Sequence, residues 1–532
     1  MKRIPDASSA VYPSRFSSQL TRRRALQGAL AFAATSLVAG CGSSSSSPPP
    51  SAPSSPSTPS SPSGNQQPVP SGPTTSATLT VTATVAGAIP SAFAGLSYEK
   101  STLYENPYLF TGSNNNLIGM FKRLGASVLR IGGNSVDRNV WTASGAGQTE
   151  GQIAPADVDA LAAFVQATGW QCLYCINLGG AGPNPYTSGS ITAVTTPALA
   201  AAEVAYAASK FGSSLLGIEI GNECDLYGNS YFAGADWSLS QFESLWATYR
   251  AAIVAQTPDV SVTGPADASN EGTWTVPFGE WATSKNITLL TQHYYRANGG
   301  LSTSTAEFLI SPDTSLVKDL STLRAGAKTV GVPYRMSECN SFYNGGSSGV
   351  SDSYASSLWV IDFLFDCALG GSVGTNLHGG GNGTGYTPIA DANGAVVEAR
   401  PEYYGMLLFT LAGSGSLYTT SLSADGLNAT AYAVKTSSGL NLIIVNKDST
   451  QNLQLTAQLP DNATSAALLE MTQLSSGASG PNLSATSGVT IQGASVNLDG
   501  SFTPGTAYAL NPSGMTLTCY VPALSAVLIQ IT

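Results

Sequence analysis

Between about Ala92 and Leu411, short apolar runs alternate with amphipathic stretches, and this alternation restricts the fold more than any other feature of the chain. Runs of strand length occur at F-A-G-L-S-Y-E from residue 93, S-V-L-R-I-G-G from 127, Q-C-L-Y-C-I-N from 171 and L-L-G-I-E-I-G-N-E from 215. Four more follow at V-S-V-T-G from 260, I-T-L-L-T-Q-H-Y from 287, V-P-Y-R-M-S-E from 332 and S-V-G-T-N-L-H from 372. Helical patterns separate them, among them the stretches from 156, 199 and 353. Strands alternating with helices imply a parallel sheet with crossover helices. Eight such pairs make an α/β fold of the closed β/α (TIM) barrel type the simplest outcome. The rival, a doubly wound open sheet, would carry a Gly-rich phosphate turn after its first strand, and none is visible there.

After about Ala412 the pattern changes to alternating strands broken by Gly, Asn, Ser and Asp turns, which predicts an antiparallel β-sandwich. The segment L-T-V-T-A-T-V from 79 precedes the barrel and is expected to pair with that sandwich, so the second domain draws on both ends of the chain. The expected boundaries are 77–91 for this strand, 92–412 for the barrel and 413–532 for the sandwich.

The first residues read as an address. T-R-R-R-A-L-Q at 21–27, an apolar stretch from Ala29 to Ala39 and V-A-G-C at 38–41 resemble a twin-arginine export signal ending in a lipobox. Cys41 would then carry the lipid, with Gly42 compatible with transfer to an outer membrane; the alternative is a secretory signal cleaved near Ala39. The expected location is the cell envelope, lipid-anchored at the outer membrane or cell surface, since an anchored chain does not span the bilayer. Residues 42–76 are dominated by Ser, Pro, Thr and Gly and are expected to form a disordered tether.

Charge narrows the partners. Of 22 basic and 32 acidic residues, the first 41 positions hold six and one, leaving 16 against 31, or −15, for the rest. An acidic body without basic runs argues against nucleic acid and strongly polyanionic ligands. Two histidines, neither spaced for a metal motif, predict no metal and no cofactor. Cys172, Cys175, Cys224, Cys339, Cys367 and Cys519 lie mostly in apolar segments and are expected to be buried free thiols.

In a β/α barrel, polar residues at the C-terminal strand tips carry the chemistry. The fourth strand ends Gly221, Asn222, Glu223 and the seventh ends Ser337, Glu338, Cys339, Asn340. Two carboxyl groups facing each other across a barrel mouth are what glycosidic hydrolysis requires: one protonates the leaving oxygen, and in retaining enzymes the other attacks the anomeric carbon. Asn222 would contact the sugar 2-hydroxyl.

G-N-E-C-D at 221–225 and S-E-C-N at 337–340 resemble the acid/base and nucleophile motifs of the large barrel clan of retaining glycosidases. G-L-S-Y-E at 95–99, R-I-G-G-N-S at 130–135, Q-H-Y-Y at 292–295 and F-Y-N-G-G at 342–346 narrow the likeness to family 79 glycoside hydrolases, which include bacterial β-glucuronidases and heparanase. That resemblance spans roughly residues 77–532 and implies Glu223 as acid/base and Glu338 as nucleophile. It further implies that Tyr294 donates to Glu338, that Tyr343, Gly345 and Tyr386 hold a uronate carboxylate, and that Asn134 and Glu99 reach sugar hydroxyls. Cys224 departs from the common N-E-P form.

The activity so implied is removal of terminal β-linked glucuronic acid from a uronic-acid-containing glycan, with retention. A neutral-sugar β-xylosidase or β-glucosidase on the same barrel and a non-catalytic glycan-binding lipoprotein are the alternatives. Plainer roles stand beside the specific ones. Glu99 could only cap the first helix, Arg130 could be a structural residue paired to an acid inside the barrel, and His293 and His378 could be ordinary hydrogen-bonded residues. Tyr343 and Gly345 could merely shape their loop.

Overall fold

The computed structural model describes residues 65–188, 191–474 and 480–532. The export signal and Cys41 lie outside the described residues. Eight parallel strands close into a barrel in chain order: β1 (Ala94–Glu99), β2 (Val128–Gly132), β3 (Gln171–Ile176), β4 (Leu215–Ile220), β5 (Val262–Asp267), β6 (Leu289–Asn298), β7 (Tyr334–Tyr343) and β8 (Thr375–Gly379). The barrel expectation holds, with each strand close to its predicted run.

The crossover helices begin where their caps dictate. Pro197 opens helix Pro197–Phe211 behind Thr196, whose hydroxyl accepts the Leu199 N–H. Helix Pro155–Thr168 likewise starts on a proline and stops at Gly169, whose φ of 74° suits glycine. β6 and β7 run past their neighbours: Tyr294–Asn298 of β6 pair with Cys339–Tyr343 of β7 beyond the barrel proper, as a parallel ribbon over the mouth.

The C-terminal part is a ten-stranded sheet that curls over its own apolar core of residues such as Leu79, Leu442, Leu455 and Ile529. Strand Thr74–Ile89 joins it, antiparallel to Gly415–Ser423 and parallel to Asn452–Gln458, so the sheet is mixed rather than purely antiparallel. This strand starts inside the stretch expected to be tether. Even Asn65 and Gln67 are tied down, their amides donating to the carbonyls of Thr506 and Tyr520. Polar amide side chains there supply the partners that the Ser/Pro composition conceals.

Barrel and sheet interlock. Helix Tyr354–Leu369, apolar on almost every face, lies between them, with Phe365 stacked on Tyr432 at 4.2 Å. Asp362 accepts from Thr430 and Tyr432 and pairs with Lys447 of the sheet. Helix Asn115–Arg123 approaches the 497–501 turn so closely that a Cβ on Gly119 would stand 1.9 Å from the Asp499 carbonyl oxygen. Among the described residues no helix is long and apolar enough to cross a membrane.

Gly119→Ala forces this contact apart, because backbone cannot yield as a flexible side chain can. The expected loss is about 1–3 kcal/mol, measured by equilibrium urea unfolding; an unchanged midpoint would show the contact to be loose.

Candidate active site

Residues on non-adjacent strands touch through the barrel interior, and one side chain makes most of those contacts. Arg130 on β2 is fully buried and donates through Nε to Glu219 of β4 at 2.6 Å, through Nη1 to Glu338 of β7 at 2.6 Å, and through Nη2 to Asn222 at 2.9 Å. The expectation of a paired, interior arginine is met, but one of its two acids is the candidate nucleophile itself. Asn222 accepts from Arg130 through its oxygen, and its NH2 group has no hydrogen-bond partner among the described residues.

Glu223 lies three residues beyond the end of β4, at the tip of a sharp turn with φ of 50°. The left-handed conformation costs about 1–2 kcal/mol for a non-glycine residue. Its N–H donates to the Ala266 carbonyl at 2.8 Å, and His293 of β6 stands 3.2 Å from its carboxylate. Cys224 points away beneath this turn, fully buried, its thiol directed at the Ile220 carbonyl. A small side chain fits there, and burial pushes the thiol's pKa up. Asp137 braces the turn from below, accepting from Tyr227 at 2.5 Å, while the Tyr227 oxygen receives the Asn222 N–H.

Glu338 sits mid-strand, because β7 continues to Tyr343. Between Gln292 and His293 the register against β7 jumps from Met336 to Glu338, and against β8 β7 again carries one extra residue, between Met336 and Cys339. This bulge resets the alternation of β7: counted from Arg335, which bonds Asn376 of β8, Glu338 would otherwise face outward. Reset, it accepts from Arg130 and from the Tyr295 hydroxyl at 2.9 Å, with His378 at 3.8 Å. Burial alone would raise its pKa, but the charges of His378, His293 and Arg130 and the Tyr295 hydrogen bond outweigh it and hold the carboxyl well below the usual carboxylate range.

The tyrosine on Glu338 is therefore Tyr295, correcting the expectation of Tyr294. Side chains alternate along β6: His293 and Tyr295 face the cleft, whereas the Tyr294 hydroxyl donates outward to Asp313 at 2.6 Å. The period of two was legible in Q-H-Y-Y and selects Tyr295 once His293 is placed inward.

The other expected residues fall at the mouth to different degrees. Glu99 accepts the N–H groups of Asn134 and Ser135 at 3.2 and 2.8 Å, pinning the loop after β2 rather than capping the helix that follows β1. Gly133 permits this, since a Cβ there would lie 2.5 Å from the Glu99 carboxyl carbon. His378 bridges the groups, 3.0 Å from Ser97, 3.8 Å from Glu99 and 3.8 Å from Glu338. Tyr386 packs beside Tyr295 with ring centroids 5.8 Å apart, and its N–H donates to the Gly345 carbonyl at 3.4 Å. The loops after β7 and β8 thus meet. Tyr343 is 45% exposed at the rim and engages none of the acids through its hydroxyl.

One carboxyl oxygen each of Glu223 and Glu338 and a ring nitrogen of His293 all lie within 4.8 Å of one another. That is near enough for the three to share a cation, and Glu338 accepts in addition from a guanidinium and a phenol, one on each oxygen. The arrangement suits proton transfer and nucleophilic attack across a gap about one sugar carbon wide.

No protein-family model matches the chain. It is 27% identical over 249 residues to a β-glucuronidase of Aspergillus niger, a match covering 42% of this chain and 45% of that one. The chain thus matches less than half of that relative's length. In three dimensions it resembles the 4-O-α-L-rhamnosyl-β-D-glucuronidase of Fusarium oxysporum, with a TM-score of 0.66 at 17% identity over 85% of this chain and all of that one. It also resembles the α-L-arabinofuranosidase of Thermotoga maritima, with a TM-score of 0.60 at 14% identity over 85% of this chain and 99% of the other. At these identities the structural likeness establishes the fold.

A depressed Glu338 pKa means that the folded state holds fewer protons than the unfolded one below about pH 4.3. Its contribution to stability is complete above that pH and is lost as pH falls toward the folded value. Unfolding free energy followed from pH 6 to pH 3 should therefore fall less steeply in Glu338→Gln than in the wild type; parallel curves would rule out the charge-stabilised carboxylate.

Proposed function

We propose that this chain is a retaining, exo-acting glycoside hydrolase of the family 79 type that removes terminal β-linked glucuronic acid from glycans. The observation that carries this reading is the separation of the two carboxyl groups, with oxygens within 4.8 Å. Retaining enzymes space theirs at about 5–5.5 Å, whereas inverting enzymes leave about 6.5–9.5 Å for a water. Glu223 protonates the leaving oxygen while Glu338, kept ionised beside Arg130 and Tyr295, attacks the anomeric carbon. Water, deprotonated by Glu223, then releases the sugar from Glu338 with its configuration restored.

Uronate preference draws support from the rim. Asn344, Gly345 and Gly346 have φ of 62°, 80° and 86°, and the Gly345 N–H has no partner among the described residues. Successive backbone N–H groups in such a turn can hold a carboxylate without a cation. Tyr343 and Tyr386 flank that turn in the same reading, with Asn222 on the 2-hydroxyl. The Aspergillus relative is itself a β-glucuronidase. Export through the twin-arginine route and a lipid on Cys41 would present the enzyme at the cell surface.

Aryl β-glucuronide is expected to be hydrolysed and aryl β-xyloside not; activity on the xyloside alone would sink the uronate assignment. Inactivation by an epoxide-type uronic acid should label Glu338 in peptide mapping, and label elsewhere would reassign the nucleophile.

The two neighbouring tyrosines offer a sharper comparison. Glu223→Gln should lower kcat about 10²–10⁴-fold. Tyr295→Phe should lower it about tenfold or more, through the lost hydrogen bond to the charged carboxylate. Tyr294→Phe, whose hydroxyl donates to Asp313, should leave kcat near wild type; the reverse order of effects would return the role to Tyr294.

A further inference from the structure

The side chains of β6 alternate, and the face turned away from the cleft borders a second space. His293 and Tyr295 reach the two candidate acids, whereas Tyr294 and Arg296 point outward to Asp313. On that side lies a cavity of about 640 Å³ between the barrel and the curled sheet, a size typical of small-molecule sites. Asp313 and Leu316 line it from the segment after β6, Trp359 and Asp366 from helix Tyr354–Leu369, and Tyr432 and Lys447 from the sheet. Val317, 57% exposed, and the exposed Gly426 also line it, so the space opens to solvent. No step of the proposed hydrolysis uses it.

Five charged side chains line the cavity, and four of them are paired. Lys447 pairs with Asp362, which also accepts from the Thr430 and Tyr432 hydroxyls. Arg296 donates to the carbonyls of Leu309, Ser311 and Pro312, and its Nε stands 3.8 Å from Asp313. Asp366 is the remainder: its carboxyl has no hydrogen-bond or ion-pair partner among the described residues. Burial and the charges of Asp362 and Asp313, only partly offset by Lys447, raise its pKa to about 7. Trp359, Asp362, Phe363 and Asp366 have the spacing of a single helix face. Trp359 is 3% exposed, its ring stacks on Phe363 at 5.1 Å, and its indole N–H likewise has no partner among the described residues.

We propose that this cavity binds a small organic ammonium compound with an apolar body, its charged nitrogen resting on the Asp366 carboxylate. An ammonium completes the charge pairing that the protein leaves open. A neutral polyol would hydrogen-bond to Asp366 but leave the repulsion among three carboxylates in place, and an anion would add to it. A bare metal ion fits less well, because the three carboxylates do not converge closely enough to share one. Leu316 and the Trp359–Phe363 stack give an alkyl or aryl body its apolar wall, and an indole ring favours a neighbouring cation.

The test is calorimetric titration of the intact enzyme at pH 8 with phenethylamine, phenethyl alcohol and phenylacetate. Phenethylamine is expected to bind saturably, the alcohol about tenfold more weakly or worse, and phenylacetate not at all. Asp366→Asn should weaken phenethylamine about tenfold and leave the alcohol unchanged. Val317→Lys, which sets a tethered ammonium at the exposed edge, should weaken phenethylamine as well, whereas Glu223→Gln in the cleft should not. The groups around Asp366 are Asp362 on its own helix, Asp313 and Arg296 on the β6 side, and Lys447 and Tyr432 on the sheet. As pH falls from 8 to 6 Asp366 takes up a proton, so the wild-type affinity for phenethylamine should fall, and Asp366→Asn should abolish that dependence. Equal binding of amine and alcohol, no saturable binding of the amine, or an affinity that Asp366→Asn leaves unchanged overturns the site. Loss of amine binding in Glu223→Gln places the amine in the cleft and overturns it too.

Discussion

Everything at the barrel mouth hangs on the Arg130 guanidinium. A cation buried this completely is costly unless every charge around it is matched, and three of its nitrogens end on Glu219, Glu338 and Asn222. The planar fork is what lets one side chain reach β4, β7 and the turn after β4 together; a lysine ammonium could not present three donors in those directions. Glu219 makes the arrangement affordable. Burial pushes its pKa up, but Arg130 and then His293 bring it below the ordinary value, so the deep pair is neutral overall and Glu338 can remain charged in a dry site. The same fork fixes the Asn222 amide, so the turn that carries Glu223 and the strand that carries Glu338 are positioned by one group.

The sequence made the barrel legible because its signal is long-range and redundant: eight apolar runs at similar spacing tolerate an error in any one. The acid pair was legible for a related reason, since each carboxylate follows an apolar run that ends at the mouth. Individual roles were less so. The Tyr294 assignment came from motif likeness, and the alternation along β6 selects Tyr295 instead. Glu338 presents the converse case: strict alternation along β7 would turn it outward, and the bulge that turns it inward leaves no mark in a single sequence. Arg130 reads as structural because a buried arginine usually is; that one of its acid partners is also the candidate nucleophile Glu338 depends on three strands converging in space. His378 owes its place to the same convergence, with partners on β1 and β7. Residues 65–76 read as tether because Ser and Pro dominate, yet hydrogen bonds from a few amides and the parallel pairing of Thr74–Ser76 with Asn452–Gln454 are enough to order them.

The curled sheet does more than cover the barrel's side. The rim loop after β7, with Tyr343 and Gly345, runs directly into helix Tyr354–Leu369. A helix leaves its first N–H groups without internal partners. Here the sheet domain supplies them: the Tyr354 N–H donates to the Ala485 carbonyl at 2.8 Å and the Ala355 N–H to Leu483 at 3.0 Å. The Tyr354 hydroxyl adds a bond to the Leu524 carbonyl at 2.8 Å, and the ring is fully buried. One end of the rim loop is therefore anchored to β7 and the other to the sheet. Across the loop, Ser341 of β7 and Ser351 join hydroxyls at 2.8 Å, and Ser351 also accepts the Ser347 N–H at 2.9 Å. That clamp lets three consecutive residues hold left-handed backbone conformations without collapsing. A turn so constrained holds its backbone conformation through the packing of its own serines rather than through any ligand. The C-terminal domain thus fixes the start of this helix, and with it the far end of the rim loop, through its carbonyl groups.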